Sequence, residues 1–244
     1  TMSVKVAFPE FPAVGVAIDT VLLRTKDIAT VDNRQVSPKQ LQVLLVKKAD
    51  EKEWHLPGTI LRNGETPRDS IKRITEKKID MGDIHFEQLY TVADDPERDE
   101  RGHIISIVYI GMAKEVNDIV ADNHKDLYKA QWFWVGKEKK PNNERTFTNE
   151  ETAESFSFLK YDHHTIVADT INRVKNKLMY TDIGFEFADS IFTIKELENI
   201  YEAIYERSIP AFRRFIESKI EYTEKMSDGK AFRPAKLFRK KTKH

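Results

Sequence analysis

The stretch 56-LPGTILRNGETPRDSIKRITEKKIDM-81 places two glycines and an acidic turn directly before a segment with helical periodicity. Pro67 suits the first turn of a helix, because an N–H at that position would lack a partner within the helix. Ile71 and Ile74 then fall on one face of the segment 68–79. The stretch therefore predicts a glycine-containing loop that leads into a helix.

Three residues of this stretch, Gly58, Glu65 and Arg73, resemble fixed positions of a Nudix box, the metal-binding loop and helix of enzymes that cleave nucleoside diphosphate derivatives. Gly64 completes the turn before Glu65. Glu65 and Arg73 have the expected spacing, whereas Gly58 stands one position before the glycine of the pattern. In active enzymes, glutamates that follow the arginine share one helix face and hold divalent ions. The frame of a hydrolytic site is therefore present.

The acids that complete such a site are missing. At the positions of the three helical glutamates the chain carries Ile74, Lys77 and Lys78. Glu76 cannot replace them, since a helix turns by about 100° per residue and Glu76 points away from that face. Glu65 alone offers too few oxygen ligands for a hard cation. The sequence predicts a degenerate box, with no catalytic residue, no metal site and no cofactor.

Two interpretations of Lys77 and Lys78 remain open. They can form an ordinary solvated helix surface. Alternatively, they face an anionic ligand and supply the positive charge that metal ions provide in the enzymes. A site of the second kind would bind a phosphate ester or nucleotide without cleaving it.

Composition narrows the class of protein. The chain has 244 residues, of which 40% are hydrophobic and none is cysteine. Disulfides, thiolate nucleophiles and zinc-thiolate sites are thereby excluded. Since no run approaches the roughly 20 apolar residues of a membrane span, we expect a cytoplasmic protein without a membrane partner.

The charges are unevenly distributed along the chain. Residues 207–244 hold twelve lysines or arginines against four acidic residues, a net charge of +8, whereas the whole chain is neutral. A basic end on an acidic body is typical of a nucleic-acid-binding module attached to another domain. A basic disordered tail is the alternative.

Short apolar runs rich in valine, isoleucine and leucine predict buried strands. These runs lie at 13–24, 41–48, 84–93, 103–113 and 130–135. Apolar residues at helical spacing predict a second helix over 162–178. Residues 1–180 therefore form an α+β layout, and the segment 181–192, which lacks periodicity, is expected to be a connection.

The C-terminal residues 193–244 show the order of a winged helix. Thr193 and Glu196 have the form of a capping box, which predicts a helix to about Glu206. A turn and a second helix follow, with Phe212, Phe215, Ile216 and Ile220 expected to face inward. Asp228-Gly229 is a hairpin-turn signal between 221–226 and 231–238. Helix, turn, helix and basic hairpin argue against a disordered tail.

In these features the chain resembles the Nudix-related transcriptional regulators, in which a Nudix-like sensor precedes a winged helix. The likeness spans nearly the whole chain. Besides the box, it includes 95–111, 161–174, 183–204, 212–216 and 232–239. The resemblance implies an α+β fold: a Nudix-like α/β/α sandwich with a mixed sheet over 1–180, a linker at 181–192, and a winged helix-turn-helix over 193–244.

The resemblance also implies a function. The expected protein is a ligand-responsive transcriptional regulator, acting as a homodimer, with double-stranded DNA and a small anionic metabolite as partners. The metabolite would be nucleotide-like or sugar-phosphate-like, with ADP-ribose as one candidate. The alternatives are a MutT/Nudix-family hydrolase of a nucleoside diphosphate derivative and a protein-interaction module.

Candidate ligand-binding residues are those that supply positive charge near the box: Arg73, Lys77, Lys78, Arg98 and Arg101. Trp54 or Tyr109 could stack on a ring. The plainer alternatives are a core position for Trp54 and, for Arg98 and Arg101, salt bridges to Asp99 or Glu100.

Candidate DNA-binding residues are the exposed cations of the C-terminal domain. Arg213 and Arg214 on its second helix are expected to meet bases or phosphates. On the wing, Lys230, Arg233, Lys236 and Arg239 are expected to meet phosphates.

Overall fold

The structure is a computed structural model that describes residues 14–28, 36–76, 84–114, 128–139, 142–227 and 234–242. Within these residues, eight strands form one sheet in the order β4-β5-β1-β2-β6-β7-β8, with β3 paired to β1. The strands are β1 Gly15–Asp27, β2 Lys39–Lys48, β3 Gly58–Ile60, β4 His85–Val92, β5 Ile104–Met112, β6 Tyr128–Val135, β7 Phe147–Asn149 and β8 Ser155–Phe156. The predicted strands are all present.

The sheet is mixed, as expected. Strands β1 and β5 run parallel, whereas the other pairings are antiparallel. Strand β1 lies between β5 and β2, and its residues 17–25 are all buried. A central strand covered on both faces is mostly apolar, which explains why the sequence pattern located β1 readily even though Asp19 and Thr20 interrupt the apolar residues.

Helices cover both faces of the sheet. The box helix α1, Pro67–Ile74, packs through Ile71 and Ile74 against alternate residues of β1, Ile18 and Leu22. The helix α2, His163–Leu178, packs on the opposite face, where Val21 and Leu23 of β1 point. This arrangement confirms the α/β/α sandwich. No helix among the described residues is both long and apolar enough to cross a membrane.

A winged helix follows the sandwich. It consists of β9 Phe192–Thr193, α3 Ile194–Tyr205, α4 Phe212–Ile216, a 3-10 turn, β10 Ile220–Met226 and β11 Lys236–Lys240. The strands form a separate sheet in the order β10-β11-β9. Thr193 and Glu196 make the predicted reciprocal capping bonds at the start of α3.

The second helix of this domain is shorter than predicted. Helix α4 ends at Ile216, and after the turn Glu217–Lys219 the buried Ile220 opens strand β10, where it pairs with Lys240. Ile220 faces inward as expected, but from a strand, so its apolar spacing looked helical without being so. The predicted Asp228-Gly229 turn lies outside the described residues.

The segment expected to be a connection is packed. Residues Ile183–Phe187 form a 3-10 helix, and the rings of Phe185 and Phe192 lie 5.9 Å apart. Gly184 lies so close to Tyr201 that a Cβ would stand 2.4 Å from its ring. A 3-10 turn and a two-residue strand leave no 3.6-residue periodicity, which is why the sequence pattern shows no element here.

The sandwich and the winged helix share one hydrophobic core. Helix α3 lies against β2 and beside α2, and its Ile200 and Ile204 belong to the same buried cluster as Val43 of β2. Asn199 of α3 also donates a 2.7 Å hydrogen bond to the carbonyl of Ser37. The first helix of the winged helix is therefore part of the covering of the sandwich sheet.

Candidate functional site

The acidic residue of the box loop is held by the box arginine. Arg73 donates from Nε to Glu65 Oε1 at 2.8 Å and from Nη2 to Oε2 at 2.7 Å. The Arg62 backbone N–H and the Ser70 hydroxyl also donate to Oε2. These bonds, led by those from Arg73, lower the pKa of Glu65 to about 2. Glu65 thus acts as an anionic clamp for the loop.

The remaining donors of Arg73 close the loop against the helix. Nη1 donates to Thr59 Oγ1 at 2.6 Å, and Nη2 reaches the Ile60 carbonyl at 3.2 Å. Because all three guanidinium nitrogens have partners within the chain, these contacts favour a structural role for Arg73. Its ligand-binding role stays a prediction.

The start of α1 carries a signal that sequence reasoning missed. The Thr66 hydroxyl accepts from the Asp69 N–H, and Asp69 accepts from the Thr66 N–H, a capping box one turn before the isoleucine face. Pro67 occupies the first turn, as predicted. Local hydrogen bonds therefore stabilise the start of the helix.

One of the three helix positions that bear acids in active enzymes is described, and it is apolar. Ile74 is 0% exposed and packs in a cluster with Leu22, Leu44 and Trp132. The other two positions, Lys77 and Lys78, lie outside the described residues. Within the part of the chain that the structure describes, no three acidic or histidine side chains are grouped as metal ligands.

Gly58 is required by a carboxylate beneath the loop. In the pairing of β3 with β1, Gly58 stands opposite Asp19, and a Cβ on Gly58 would lie 2.3 Å from Asp19 Oδ1. The Asp19 side chain is buried. The first glycine of the box therefore allows the loop to pass directly over the buried Asp19 side chain.

A buried histidine connects this region to α2. His163 Nδ1 accepts a 2.9 Å hydrogen bond from the Leu56 N–H, and Nε2 stands 3.8 Å from Asp19 Oδ1. Burial lowers the pKa of His163, although Asp19 opposes the shift. The neutral ring joins the start of α2 to Leu56, directly before the box.

Arg98 is committed to an internal partner. Its Nε and Nη2 donate to the two oxygens of Asp162 at 2.8 and 2.6 Å, and Nη1 donates to Ser106 Oγ at 2.8 Å. Its side chain is 6% exposed. The partner is Asp162, at the N-terminus of α2, and neither of the two nearby acids that the sequence suggested. These contacts favour a structural role.

Arg101 is the most accessible of the three candidate arginines that the structure describes. It makes a two-pronged ion pair with Asp99 and lies 4.5 Å from the centre of the Tyr161 ring, yet its side chain is 47% exposed. The Tyr161 ring lies 6.4 Å from that of His55 and 5.3 Å from that of His163. The guanidinium of Arg101 is therefore oriented and half-exposed, and the Tyr161 ring that it contacts lies near His55, which precedes the box.

The two candidate stacking rings lie in the core. Trp54 packs edge-on against Phe133 at 4.8 Å, and Tyr109 packs with Ile18 and Ile71 under α1. Both are buried. Their positions correct the stacking hypothesis and agree with the plainer alternative for Trp54.

The C-terminal domain presents cations on α4 and on its wing. Arg213 and Arg214 are exposed and make no ion pair with any described residue. Lys236 is exposed with its ammonium 5.2 Å from the Tyr222 ring, and Arg239 is paired with Glu221. The other two wing candidates, Lys230 and Arg233, lie outside the described residues.

Residues 28–154 match the family model of the NUDIX domain, which is more than half of the chain. The chain belongs to the Nudix family. Residues 184–239 match the model of the NrtR DNA-binding winged helix domain, so the Nudix domain here is followed by a winged helix of the NrtR type. The suspected family is confirmed.

Several known proteins share this layout. The "ADPR responsive transcriptional repressor NtrR" of Acinetobacter baylyi is 26% identical over 225 residues, covering 89% of this chain and 81% of that protein. A MutT/nudix family protein from Enterococcus faecalis has a TM-score of 0.71 at 21% identity, covering 97% and 90%. Shewanella oneidensis NrtR complexed with a 27mer DNA has a TM-score of 0.64 at 21% identity, covering 93% of each chain. The two structures share the fold.

One polar residue of the Nudix domain escaped the sequence reasoning. Arg24 is buried on the box face of β1, donates from Nε to Gln42 Oε1 at 2.8 Å, and lies 4.1 Å from the Trp132 ring centre. Glu150 completes the group at 3.4 Å from Arg24 Nη2. The available signal was an arginine directly after the apolar residues Val21, Leu22 and Leu23, in a strand predicted to be buried.

Proposed function

We propose that this chain is a transcriptional regulator whose Nudix domain binds ADP-ribose or a closely similar nucleotide and whose winged helix binds operator DNA. The observation that carries the proposal is the shared core, in which α3 of the winged helix covers β2 of the Nudix sheet. A ligand that alters the packing of the sheet acts directly on the helix that positions the DNA reader. The name of the Acinetobacter baylyi relative supports ADP-ribose as the ligand.

The Nudix domain binds this ligand without cleaving it. Cleavage requires metal ions that polarise the pyrophosphate and activate water. Ile74 occupies one of the three helical acid positions and is packed into the core. Lysines occupy the other two positions in sequence, where they favour an anionic ligand over a cation.

Arg101 is the residue that we assign to the phosphates. Its ion pair with Asp99 and its stacking on Tyr161 fix the direction of the guanidinium, which remains half-exposed beside the box entrance. A pre-oriented guanidinium loses little conformational entropy on binding and can contact a phosphate through two donors.

The DNA-binding form is a two-fold symmetric dimer. Helix α4 spans only Phe212–Ile216, so one protomer offers a short reading surface. A dimer reads two half-sites about 34 Å apart, or a multiple of that distance, on one face of the duplex.

The test is fluorescence anisotropy on duplexes taken from upstream of the encoding gene and its neighbours, at low salt, with and without ADP-ribose. We expect at least one duplex to bind more tightly than random DNA and to respond to ADP-ribose without magnesium. If no duplex exceeds random DNA in either condition, the proposal is wrong. Magnesium-dependent cleavage of ADP-ribose at rates near the usual enzymatic range of about 1 to 10³ per second would identify a hydrolase instead.

A further inference from the structure

The chain leaves α3 through a residue with unusual backbone geometry. Glu206 is the C-cap of α3 and has a left-handed conformation, with φ 61° and ψ 18°. Glycine or asparagine normally occupies such a position, because a larger side chain crowds the backbone there. Contacts of the Glu206 side chain can offset part of that cost.

Those contacts come from the Nudix domain. Arg145 Nη1 donates to Glu206 Oε1 at 2.5 Å, and Nη2 stands 3.4 Å from Oε2. Lys175, in the last turn of α2, donates to Oε2. Arg145 also donates to the Gly136 carbonyl at 3.0 Å, just after β6. Two cations of the Nudix domain therefore converge on one carboxylate of the winged helix, and the Gly136 carbonyl helps to hold Arg145.

The pairing is shielded from water. The Arg145 side chain is 1% exposed, and those of Glu206 and Lys175 are mostly buried. Although burial opposes it, hydrogen bonding to Arg145 and Lys175 holds the pKa of Glu206 below its usual range. Removing one partner of such a buried group leaves an uncompensated charge, which is strongly destabilising.

Few residues separate Glu206 from α4, the helix that we propose reads DNA. Ile209 is buried and donates its N–H to Glu202 of α3, and Ala211, also left-handed at φ 53°, directly precedes α4. Two left-handed residues and one buried anchor leave little freedom between α3 and α4. The direction in which the chain leaves α3 at Glu206 therefore sets the direction of α4.

We infer that Glu206 is a positioning residue for the DNA-reading helix: Arg145 and Lys175 of the Nudix domain hold its carboxylate and thereby fix the orientation of α4. This inference deepens the proposed function and rests on it for the role of α4. According to this inference, the Glu206 carboxylate and its two cationic partners fix how the winged helix is oriented on the Nudix domain.

The test measures the orientation of α4 without DNA or ligand. The chain has no cysteine. Thr165→Cys on α2 and Ser218→Cys after α4, both at exposed positions, therefore give one spin-label pair for distance measurement. We expect a narrow distance distribution in this background. In Glu206→Gly and Glu206→Asn, which tolerate the left-handed backbone but lack the carboxylate, the distribution broadens or shifts.

The matched control is Glu198→Gln, which removes a surface ion pair with Lys195 from the same helix and leaves the distribution unchanged. Unchanged distributions in both Glu206 variants, with the fold intact by circular dichroism, would overturn the inference. On the best-bound duplex, we also expect the response to ADP-ribose, typically about 5- to 150-fold for coupled sites, to fall toward 1 in the variants. If no duplex binds any variant or the parent, the proposed function fails, while the label distances still decide the role of Glu206.

Discussion

Nδ1 of His163 accepts a 2.9 Å hydrogen bond from the backbone N–H of Leu56, which joins the start of α2 to the residues that enter the box. The bond exists only while Nδ1 is unprotonated, because a protonated imidazole has no acceptor. Burial lowers the pKa of His163 below its usual value of about 6.5. The unfolded chain therefore binds a proton at this residue more readily than the folded chain.

This difference predicts a pH dependence of stability. The contribution of His163 is complete above about pH 6.5 and is lost as the pH falls below it toward the folded-state pKa. In urea unfolding, we expect the parent to lose more free energy of unfolding between about pH 7.5 and 5.5 than His163→Gln, whose amide can accept at any pH. Since the chain has seven histidines, only the difference between the two proteins counts. Equal losses would show that His163 does not titrate in this window.

Gly58→Ala is expected to destabilise the fold by about 1 to 3 kcal/mol, the usual cost of forcing an extra group into a packed site. The reason is the 2.3 Å approach of the new Cβ to Asp19 Oδ1. Denaturant unfolding of the single variants and of Gly58→Ala/Asp19→Ala measures the effect. Strict additivity in that double variant would refute the steric explanation, because the clash predicts a smaller cost for Gly58→Ala when Asp19 is truncated.

Ile74→Glu is expected to destabilise the fold instead of restoring a metal site. The position is fully buried in an apolar cluster with Leu22, Leu44 and Trp132, so an ionised carboxylate there is removed from solvent. The cost should be about 3 to 5 kcal/mol, in the range of the most damaging substitutions. Thermal unfolding with and without magnesium measures it, and Ile74→Met, of similar volume, is the control. A magnesium-dependent rise in the melting temperature of Ile74→Glu alone would contradict this expectation.

The sequence predicted most of the fold because its main signals are local. The strands β1 and β2 each contain a short, mostly apolar run, and α3 begins at a capping box that spans four residues. The end of α4 was misplaced because Ile220 has helical spacing from Ile216 although it opens a strand.

The candidate site was less predictable, because its contacts are long-range. Arg98 pairs with Asp162, 64 residues away, and Arg145 pairs with Glu206, 61 residues away. A single sequence shows that such residues are charged but not which charges meet. For the same reason, the exposed arginines of α4 were easier to identify than the buried arginines of the sandwich.

Truncation is expected to separate the two functions of α3. Helix α3 covers part of the sandwich sheet, and its Ile200 and Ile204 share a buried cluster with Val43. A chain ending at Ile191 should expose Val43 and its neighbours and therefore aggregate or melt at a lower temperature. A chain ending at Ser208 retains α3 and should stay monodisperse. Size-exclusion chromatography and thermal unfolding distinguish them, and equal behaviour would show that α3 is dispensable to the sandwich.

Arg213→Ala and Arg214→Ala are expected to weaken binding to the preferred duplex by about 1 to 3 kcal/mol each if they read base edges. Both are exposed without an ion pair among the described residues. Lys72→Ala, which removes an exposed positive charge from α1, is the control. Anisotropy titrations at several salt concentrations separate a loss of specificity from the loss of one phosphate contact, which lowers the salt slope by about 1. An effect of Lys72→Ala as large as that of the α4 variants would mean that binding reflects overall charge.

The position of α3 determines where the winged helix of this protein can be replaced by another one. Because α3 completes the sandwich on one side and leads to the DNA reader on the other, the two halves cannot be exchanged at the boundary between their sequence families. A foreign winged helix joined near residue 184 would bring its own first helix onto β2 and leave Arg145 and Lys175 facing an unrelated surface. A chimera joined after Ser208 would keep the native cover and replace only α4 and the wing. The segment that can be exchanged to change DNA binding therefore begins within the turn that follows Glu206.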